Sequence, residues 1–242
     1  MHVLVISDIH ANLTALEAVL QDADGVDATW CLGDIVGYGP DPNECIARIR
    51  GLPNLVCLLG NHDAAALGKI DVEAFNAEAK ASLVWMQSTL TAESRAFLQE
   101  LPEKAIQGNV TLAHGSPRNP VWEYILDLRV AQLNFSFFET PYCFVGHTHL
   151  PVMYRMTSDI AAVRMLVPVP GETIELKPRA LLNPGSVGQP RDRDPRASYA
   201  IYDTDTAAWA YRRVVYDIAS VQKRILDASL PPRHALRLGE GW

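Results

Sequence analysis

Five short apolar runs, each ending in Asp, His or Asn, constrain this 242-residue chain more than any other feature. Val3-Leu4-Val5-Ile6 runs through Ser7 into Asp8-Ile9-His10, and Trp30-Cys31-Leu32 runs into Gly33-Asp34. Leu55-Val56-Cys57-Leu58-Leu59 runs into Gly60-Asn61-His62-Asp63. Val110-Thr111-Leu112-Ala113 leads to His114-Gly115, and Tyr142-Cys143-Phe144-Val145 to Gly146-His147-Thr148-His149. Short apolar runs bounded by turn residues read as buried strands. In an open α/β sheet the loops at the carboxyl ends of the strands are where ligands bind. Five strands delivering carboxylate, imidazole and amide groups to such loops point to one convergent site.

The intervening segments supply the crossovers. Asn12 is a suitable N-cap for a helix over residues 13–20, in which Leu13, Leu16, Val19 and Leu20 share a face. A second helix follows at 42–49, so strand, helix, strand, helix, strand implies parallel pairing with right-handed crossovers. Helical segments are expected at 72–89 and 92–101, with Phe75, Leu83, Trp85, Met86, Phe97 and Leu98 covering the sheet. A hairpin around Gly108-Asn109 joins 104–107 to 110–113, and a helix is expected at 128–138. Beyond Pro151 the pattern changes to short strands at 152–156, 161–167, 173–176, 180–182, 198–203 and 207–216. A last helix at 218–228 precedes a proline-containing tail with little pattern. The expected organisation is one α/β domain over 1–242. Its βαβ half at 1–150 carries the polar loops, and 151–242 is mainly antiparallel strands plus the C-terminal helix.

The formal net charge of −7 argues against a protein built to coat nucleic acid, whose affinity comes from neutralising phosphates. It is compatible with a small phosphorylated substrate, because bound cations can supply local positive charge. No apolar run approaches the roughly 18–20 residues of a membrane span. The chain enters a strand at once, with no signal-peptide pattern, so the expected location is cytoplasmic. A homo-oligomer is possible. Of the four cysteines, Cys31, Cys57 and Cys143 lie inside apolar runs, Cys45 lies outside them, and no C-x-x-C pair is present. They read as reduced packing residues.

Asp8, His10, Asp34, Asn61, His114, His147 and His149 are the candidate metal donors. Seven are too many for one tetrahedral zinc, but they suit two ions if one carboxylate bridges. Carboxylate and imidazole together favour divalent transition metals, manganese first with iron, zinc, nickel or cobalt as alternatives, over calcium or magnesium. Five of the seven histidines lie in these loops, whereas His2 and His234 have no such context. Each motif alone is common. Their ordered occurrence after five strands is what points to a metal site.

In that order the motifs Asp8-x-His10, Gly33-Asp34, Gly60-Asn61-His62-Asp63, His114 and Gly146-His147-x-His149 resemble those of the calcineurin-like metallophosphoesterases. The stretch Leu182-Asn183-Pro184-Gly185-Ser186-Val187-Gly188 resembles the compact prokaryotic phosphodiesterase branch. The resemblance implies two facing mixed β-sheets flanked by helices, a four-layer α-β-β-α sandwich. It implies that Asp8, His10 and His149 hold one metal, that Asn61, His114 and His147 hold the second, and that Asp34 bridges. It further implies that a water or hydroxide between the ions attacks phosphorus while His62 acts as general acid or stabilises the leaving oxygen. Asp63 would orient a ring or cap the following turn, and Asn12 and Asn183 would support the site.

The sequence also departs from parts of the superfamily. Relatives that act on phosphoproteins carry Asp and Arg in the loop after Gly-Asp. Here that loop is Ile35-Val36-Gly37-Tyr38-Gly39-Pro40, without charge. The same loop separates the chain from symmetrical diadenosine tetraphosphatases. Ala11 stands where many relatives have Gly. Arg191, Arg193 and Arg196 could meet a substrate phosphate, yet Asp192 and Asp194 interleave them and could pair with them instead. His114-Gly115-Ser116 lacks the context of a serine nucleophile. The expected activity is hydrolysis of a small phosphodiester or nucleotide-like substrate. A small-molecule phosphomonoesterase, a nuclease and a non-catalytic metal-binding scaffold are the alternatives.

Overall fold

In the computed structural model, which describes residues 1–157 and 162–242, the strands form two six-stranded sheets. At the centre of the first, β1 (His2–Ile6) pairs in parallel with β2 (Ala28–Cys31) and antiparallel with β11 (Ala197–Asp203). β3 (Val56–Cys57) extends the sheet beyond β2, while β12 (Ala208–Val214) and β9 (Thr173–Glu175) extend it beyond β11. The second sheet runs in the order β4 (Lys104–Gln107), β5 (Val110–Ala113), β6 (Tyr142–Phe144), β10 (Ala180–Pro184), β7 (Pro151–Met156) and β8 (Val163–Leu166).

Strand alternation builds the layers. Val3, Val5, Trp30 and Leu32 point to one side and meet Val110, Leu112, Phe144 and Leu182 of the facing sheet, with Tyr202 and Trp209 between them. Leu4, Ile6 and Cys31 point the other way and are covered by α1 (Leu13–Asp22), α2 (Pro42–Arg50), α4 (Ala77–Thr89) and α5 (Ala92–Glu100). On the far side of the second sheet, Cys143, Tyr154 and Leu181 pack against α6 (Leu128–Asn134). A strand covered on both faces needs an uninterrupted apolar run rather than alternation, which is why residues 3–6 and 142–145 read as they do. Each fully buried Leu or Phe contributes about 1.5–3 kcal/mol to holding these layers together. All four cysteines are free and buried.

Several elements differ from expectation. Strands of the second half are divided between the two sheets: β9, β11 and β12 complete the first, while β7, β8 and β10 join the second, with β10 antiparallel to β7 and parallel to β6. The apolar run at 55–59 yields only a two-residue edge strand, and Gly60 caps a short helix, α3 (Asn61–Ala66), so the third polar motif is helical rather than a loop. The helix expected over 72–89 breaks into a 3-10 turn (Val72–Ala74) and α4, because the Asn76 side chain accepts a hydrogen bond from Ala79 N at 3.0 Å and restarts the helix. The helix at 128–138 stops at Asn134, whose side-chain amide turns to Glu123 and to the carbonyl of Val130. The tail holds a helix, α8 (Pro232–Glu240), packed on α7 (Ile218–Asp227) through Val221, Ile225, Leu230, Ala235 and Leu238. The strand expected at 161–167 is described from Val163, with residue 161 outside the described residues.

Candidate metal centre

The loops following β1, β2, β5 and β6 and the start of α3 after β3 meet at one end of the sandwich, joined by the turn after β10. Backbone hydrogen bonds continue beyond the strands: Asp8 N to Gly33 O (3.0 Å), His10 N to Asp34 O (3.0 Å), Gly146 N to His114 O (2.8 Å) and Gly188 N to Asp8 O (3.0 Å). This zippering holds the backbone in conformations it would not choose locally. Asp8, His10, Ala11, Asp34, Tyr38, His147 and His149 all have φ between +49° and +66°. Such residues cost on the order of 1–3 kcal/mol each and gather at functional sites. Gly60 is required for a different reason: a Cβ there would collide with the Asp34 carboxylate and its backbone nitrogen.

The seven candidate donors are buried, none more than 2 % exposed, and fall into two groups. In the first, His10 Nε2 lies 3.0 Å from His149 Nε2 and 3.8 Å from Asp8 Oδ1, and His149 Nε2 lies 3.3 Å from that same oxygen. In the second, His114 Nε2 lies 3.1 Å from Asn61 Oδ1 and 3.2 Å from His147 Nδ1. Asp34 Oδ2 stands between the groups, 3.7 Å from His10 Nε2 and 3.4 Å from His114 Nε2. Donors sharing one ion at about 2.1 Å are separated from one another by roughly 3–3.5 Å, close to these spacings.

The opposite ring nitrogens settle which atoms face inward. His10 Nδ1 donates to Val36 O at 3.1 Å, His114 Nδ1 to Leu32 O at 2.9 Å, and His149 Nδ1 to Gln189 O at 2.6 Å. His147 is turned over, donating from Nε2 to Trp122 O at 3.1 Å. A carbonyl only accepts, so each of these nitrogens carries the proton. In the neutral rings, the lone pairs of His10 and His149 therefore converge on one point, and those of His114 and His147 on another. Asp8 Oδ1 and Asp34 Oδ2 are buried without any hydrogen-bond partner. Converging lone pairs and orphaned carboxylate oxygens are repulsive unless cations lie among them, so the donor set fits metal ions. The outer carboxylate oxygens are held by backbone: Asp8 Oδ2 accepts from His147 N at 3.0 Å and Asp34 Oδ1 from His62 N at 2.9 Å.

The titration behaviour follows from the same crowding. Burial lowers His10, His147 and His149 well below the ordinary imidazole range. Burial also lowers His114, but Asp34 outweighs it and raises that ring to about 9, so at neutral pH its Nε2 carries a proton that a bound cation would displace to free the lone pair. Asp34 itself is pushed up by burial and pulled further down by His114, His62 and His10, ending below the usual carboxylate range. Burial raises Asp8 and Asp63. The centre is thus short of positive charge.

The remaining candidates occupy distinct positions. His62 packs edge-on against His10, with ring centroids 4.9 Å apart, and its Nδ1 is buried without a hydrogen bond; burial lowers the ring to about 4. Unlike the other four histidines of the site, it is not tied to a carbonyl. Asp63 accepts from Val36 N and Gly60 N, both at 3.0 Å, so its carboxylate ties two loops and caps α3 rather than orienting a ring. Asn12 caps α1 and donates to Gly188 O at 3.0 Å. Asn183 donates to Gly146 O at 2.6 Å and Thr148 Oγ1 at 3.0 Å, bracketing His147. Arg191 sits over the Tyr38 ring at 5.8 Å, with a buried, unpartnered Nε. Arg196 instead grips Asp194 and Arg193 is exposed, so neither joins the cluster.

Sequence reasoning missed the aromatic surroundings. Tyr38 lies 4.6 Å from His10 and 4.5 Å from His62, and Tyr124 stacks on His147 at 3.7 Å. Phe75 packs against the core of the first sheet and also meets His62, with ring centroids 5.0 Å apart. His234, without context in the sequence, packs on Tyr38 at 4.9 Å from α8. The signals for that helix were Pro232 and Gly241, which bound α8, and the helical spacing of Ala235 and Leu238.

The calcineurin-like phosphoesterase superfamily model matches residues 1–207. A metallophosphoesterase from Sphaerobacter thermophilus is 47% identical, covers 100% of this chain and 99% of its own, and superposes with a TM-score of 0.92. The uncharacterized protein MJ0912 of Methanocaldococcus jannaschii is 38% identical over 95% of this chain and 93% of its own length. The hypothetical protein PH1004 of Pyrococcus horikoshii, 23% identical, shares the fold at a TM-score of 0.82, covering 100% of this chain and 98% of its own. The chain belongs to the calcineurin-like phosphoesterase superfamily and is a hydrolase of phosphoric esters. No helix among the described residues is long and apolar enough to cross a membrane.

Proposed function

We propose that this phosphoesterase is a two-metal phosphodiesterase acting on a small phosphodiester or nucleotide-like substrate. Asp8, His10 and His149 would hold one divalent transition-metal ion, manganese first. Asn61, His114 and His147 would hold the second, with Asp34 available to both. The observation that supports this most is the pair of converging imidazole lone pairs on either side of the orphaned Asp34 Oδ2. Such ions would supply Lewis acidity, lowering the pKa of a water and offsetting negative charge on the phosphate oxygens.

The chain's own groups do the rest. The carbonyls of Leu32, Val36, Trp122 and Gln189 fix the four imidazoles in the tautomers that present lone pairs inward. His62, untied and beside His10, donates its ring proton to the leaving oxygen, a role worth about 10²–10⁴-fold in rate. A bound phosphate anion raises the proton affinity of that buried ring. Arg191 reaches over Tyr38 from the far end of the chain. It supplies there the positive charge that residues 35–40 lack, and contacts a phosphate oxygen.

The test is turnover of bis-p-nitrophenyl phosphate beside p-nitrophenyl phosphate, after chelator treatment and addition of Mn, Ni, Zn or Mg singly. Metal-dependent turnover with the diester preferred is expected. A preference for the monoester would assign a phosphomonoesterase, and failure with every metal would contradict the catalytic reading.

A further inference from the structure

We propose that Phe75, Trp122 and Tyr124 form a stacking subsite for a nucleobase carried on the ester group beside the reacting phosphorus. The proposal rests on the phosphodiesterase reading above and adds the class of substrate. The three rings form an arc around the centre. Phe75 lies 5.0 Å from His62 and meets Trp122 edge-on at 5.1 Å and 86°. Trp122 lies 6.5 Å from His147, and Tyr124 stacks on His147 at 3.7 Å. One end of the arc is therefore the proton donor and the other a donor to the second ion, so a group resting on it is adjacent to the phosphorus.

Core packing does not account for Trp122 and Tyr124, whereas Phe75 also packs against the core beneath the helices of the first sheet. Trp122 and Tyr124 belong to none of the hydrophobic clusters of the described residues, and Tyr124 is 43% exposed although one of its faces is covered by His147. Phe75 is half-buried, at the break between the 3-10 turn and α4. The arc is rigidly tied to the centre, because the Trp122 carbonyl takes the Nε2 proton of His147. Partly exposed π-faces beside a phosphate site are what a flat base stacks upon. The indole N–H of Trp122 and the hydroxyl of Tyr124 add donors that ring nitrogens and carbonyl oxygens of a base accept, and a phenyl ring has no such acceptors.

The test compares diesters with the same leaving group on the metal-loaded full chain: thymidine 5′-(p-nitrophenyl phosphate), phenyl p-nitrophenyl phosphate and methyl p-nitrophenyl phosphate. We expect kcat/KM for the nucleoside ester to exceed that for the methyl ester by about tenfold or more, as stacking of one base supports. The phenyl ester should fall between them. Phe75→Leu and Trp122→Leu should bring the nucleoside-to-methyl ratio towards one through KM, whereas general damage would lower both rates and leave the ratio intact. A wild-type ratio near one, a ratio unchanged in both variants, or equal preference for phenyl and nucleoside would overturn the inference while leaving the phosphodiesterase standing. If no diester is turned over, the phosphodiesterase reading fails separately. Quenching of wild-type tryptophan fluorescence by thymidine 5′-monophosphate, lost in Trp122→Leu, would still support the subsite, and its absence would overturn it.

Discussion

The two ends of the β-sandwich follow opposite rules. At the end away from the metal centre, left-handed conformations occur at Gly25, Asn54, Gly108 and Ala207, in exposed or half-exposed turns. There local chemistry suffices: Asp203 accepts from Asp205 N at 3.0 Å and from Thr206 Oγ1 at 2.8 Å, closing its own hairpin. At the metal end the same backbone region is occupied by buried Asp, His, Ala and Tyr, imposed by bonds between loops far apart in sequence. One end is built from turns, and the other from strain held by tertiary contacts. The difference is the structural cost of aiming seven donors at two points.

The sharpest way to break this contrast is at the residue the two groups share. Asp34→Asn should lower kcat/KM by about 10³-fold or more and reduce bound metal, measured by elemental analysis, from two ions to at most one. His62→Ala should lower kcat by about 10²–10⁴-fold with both ions retained, separating proton donation from metal binding. Asn183→Ala, which unties the loop around His147, should weaken metal affinity by about 10–100-fold in a competition titration against a chelator.

A matched pair of glycines compares the ends directly. Gly60→Ala drives a methyl into Asp34 and should cost more than about 2 kcal/mol in denaturant unfolding, with loss of turnover. Gly108→Ala meets nothing within 4 Å and pays only for its φ of +56°, about 1 kcal/mol, with turnover unchanged.

The smallest effect concerns pH. The Arg118 hydrogen bond, opposed in part by burial and aided by Asn134 and Ser116, holds Glu123 at about 2. A carboxyl depressed in the folded state stabilises above its unfolded pKa and loses that contribution as pH falls towards the folded value. Thermal midpoints should therefore fall between about pH 4.5 and 2, and Glu123→Gln should shallow that limb.

Much of the fold and of the donor set is legible in the sequence. The apolar runs at 3–6, 30–32, 110–113 and 142–145 became strands because both of their faces are covered, and the polar residues after them had one sheet end to occupy. The sandwich itself came from the family resemblance, since periodicity alone does not divide twelve strands between two sheets. The sequence could not place β10 beside β6, because parallel pairing across 35 residues of intervening chain leaves no local mark. Nor could it bring Phe75 against His62: the helix restarts at the Asn76 cap, within a stretch of helical periodicity. The Arg191 position over Tyr38 and the His234 contact with the same ring are purely tertiary.

In the proposed mechanism two ions, sharing Asp34, make the site competent. The most direct measurement titrates Mn into chelator-stripped protein while following both bound metal and bis-p-nitrophenyl phosphate hydrolysis. Two equivalents bound per chain, with activity completed by the second, is the predicted result. Full activity in the stripped protein, or activity saturating at a single bound equivalent, would contradict it.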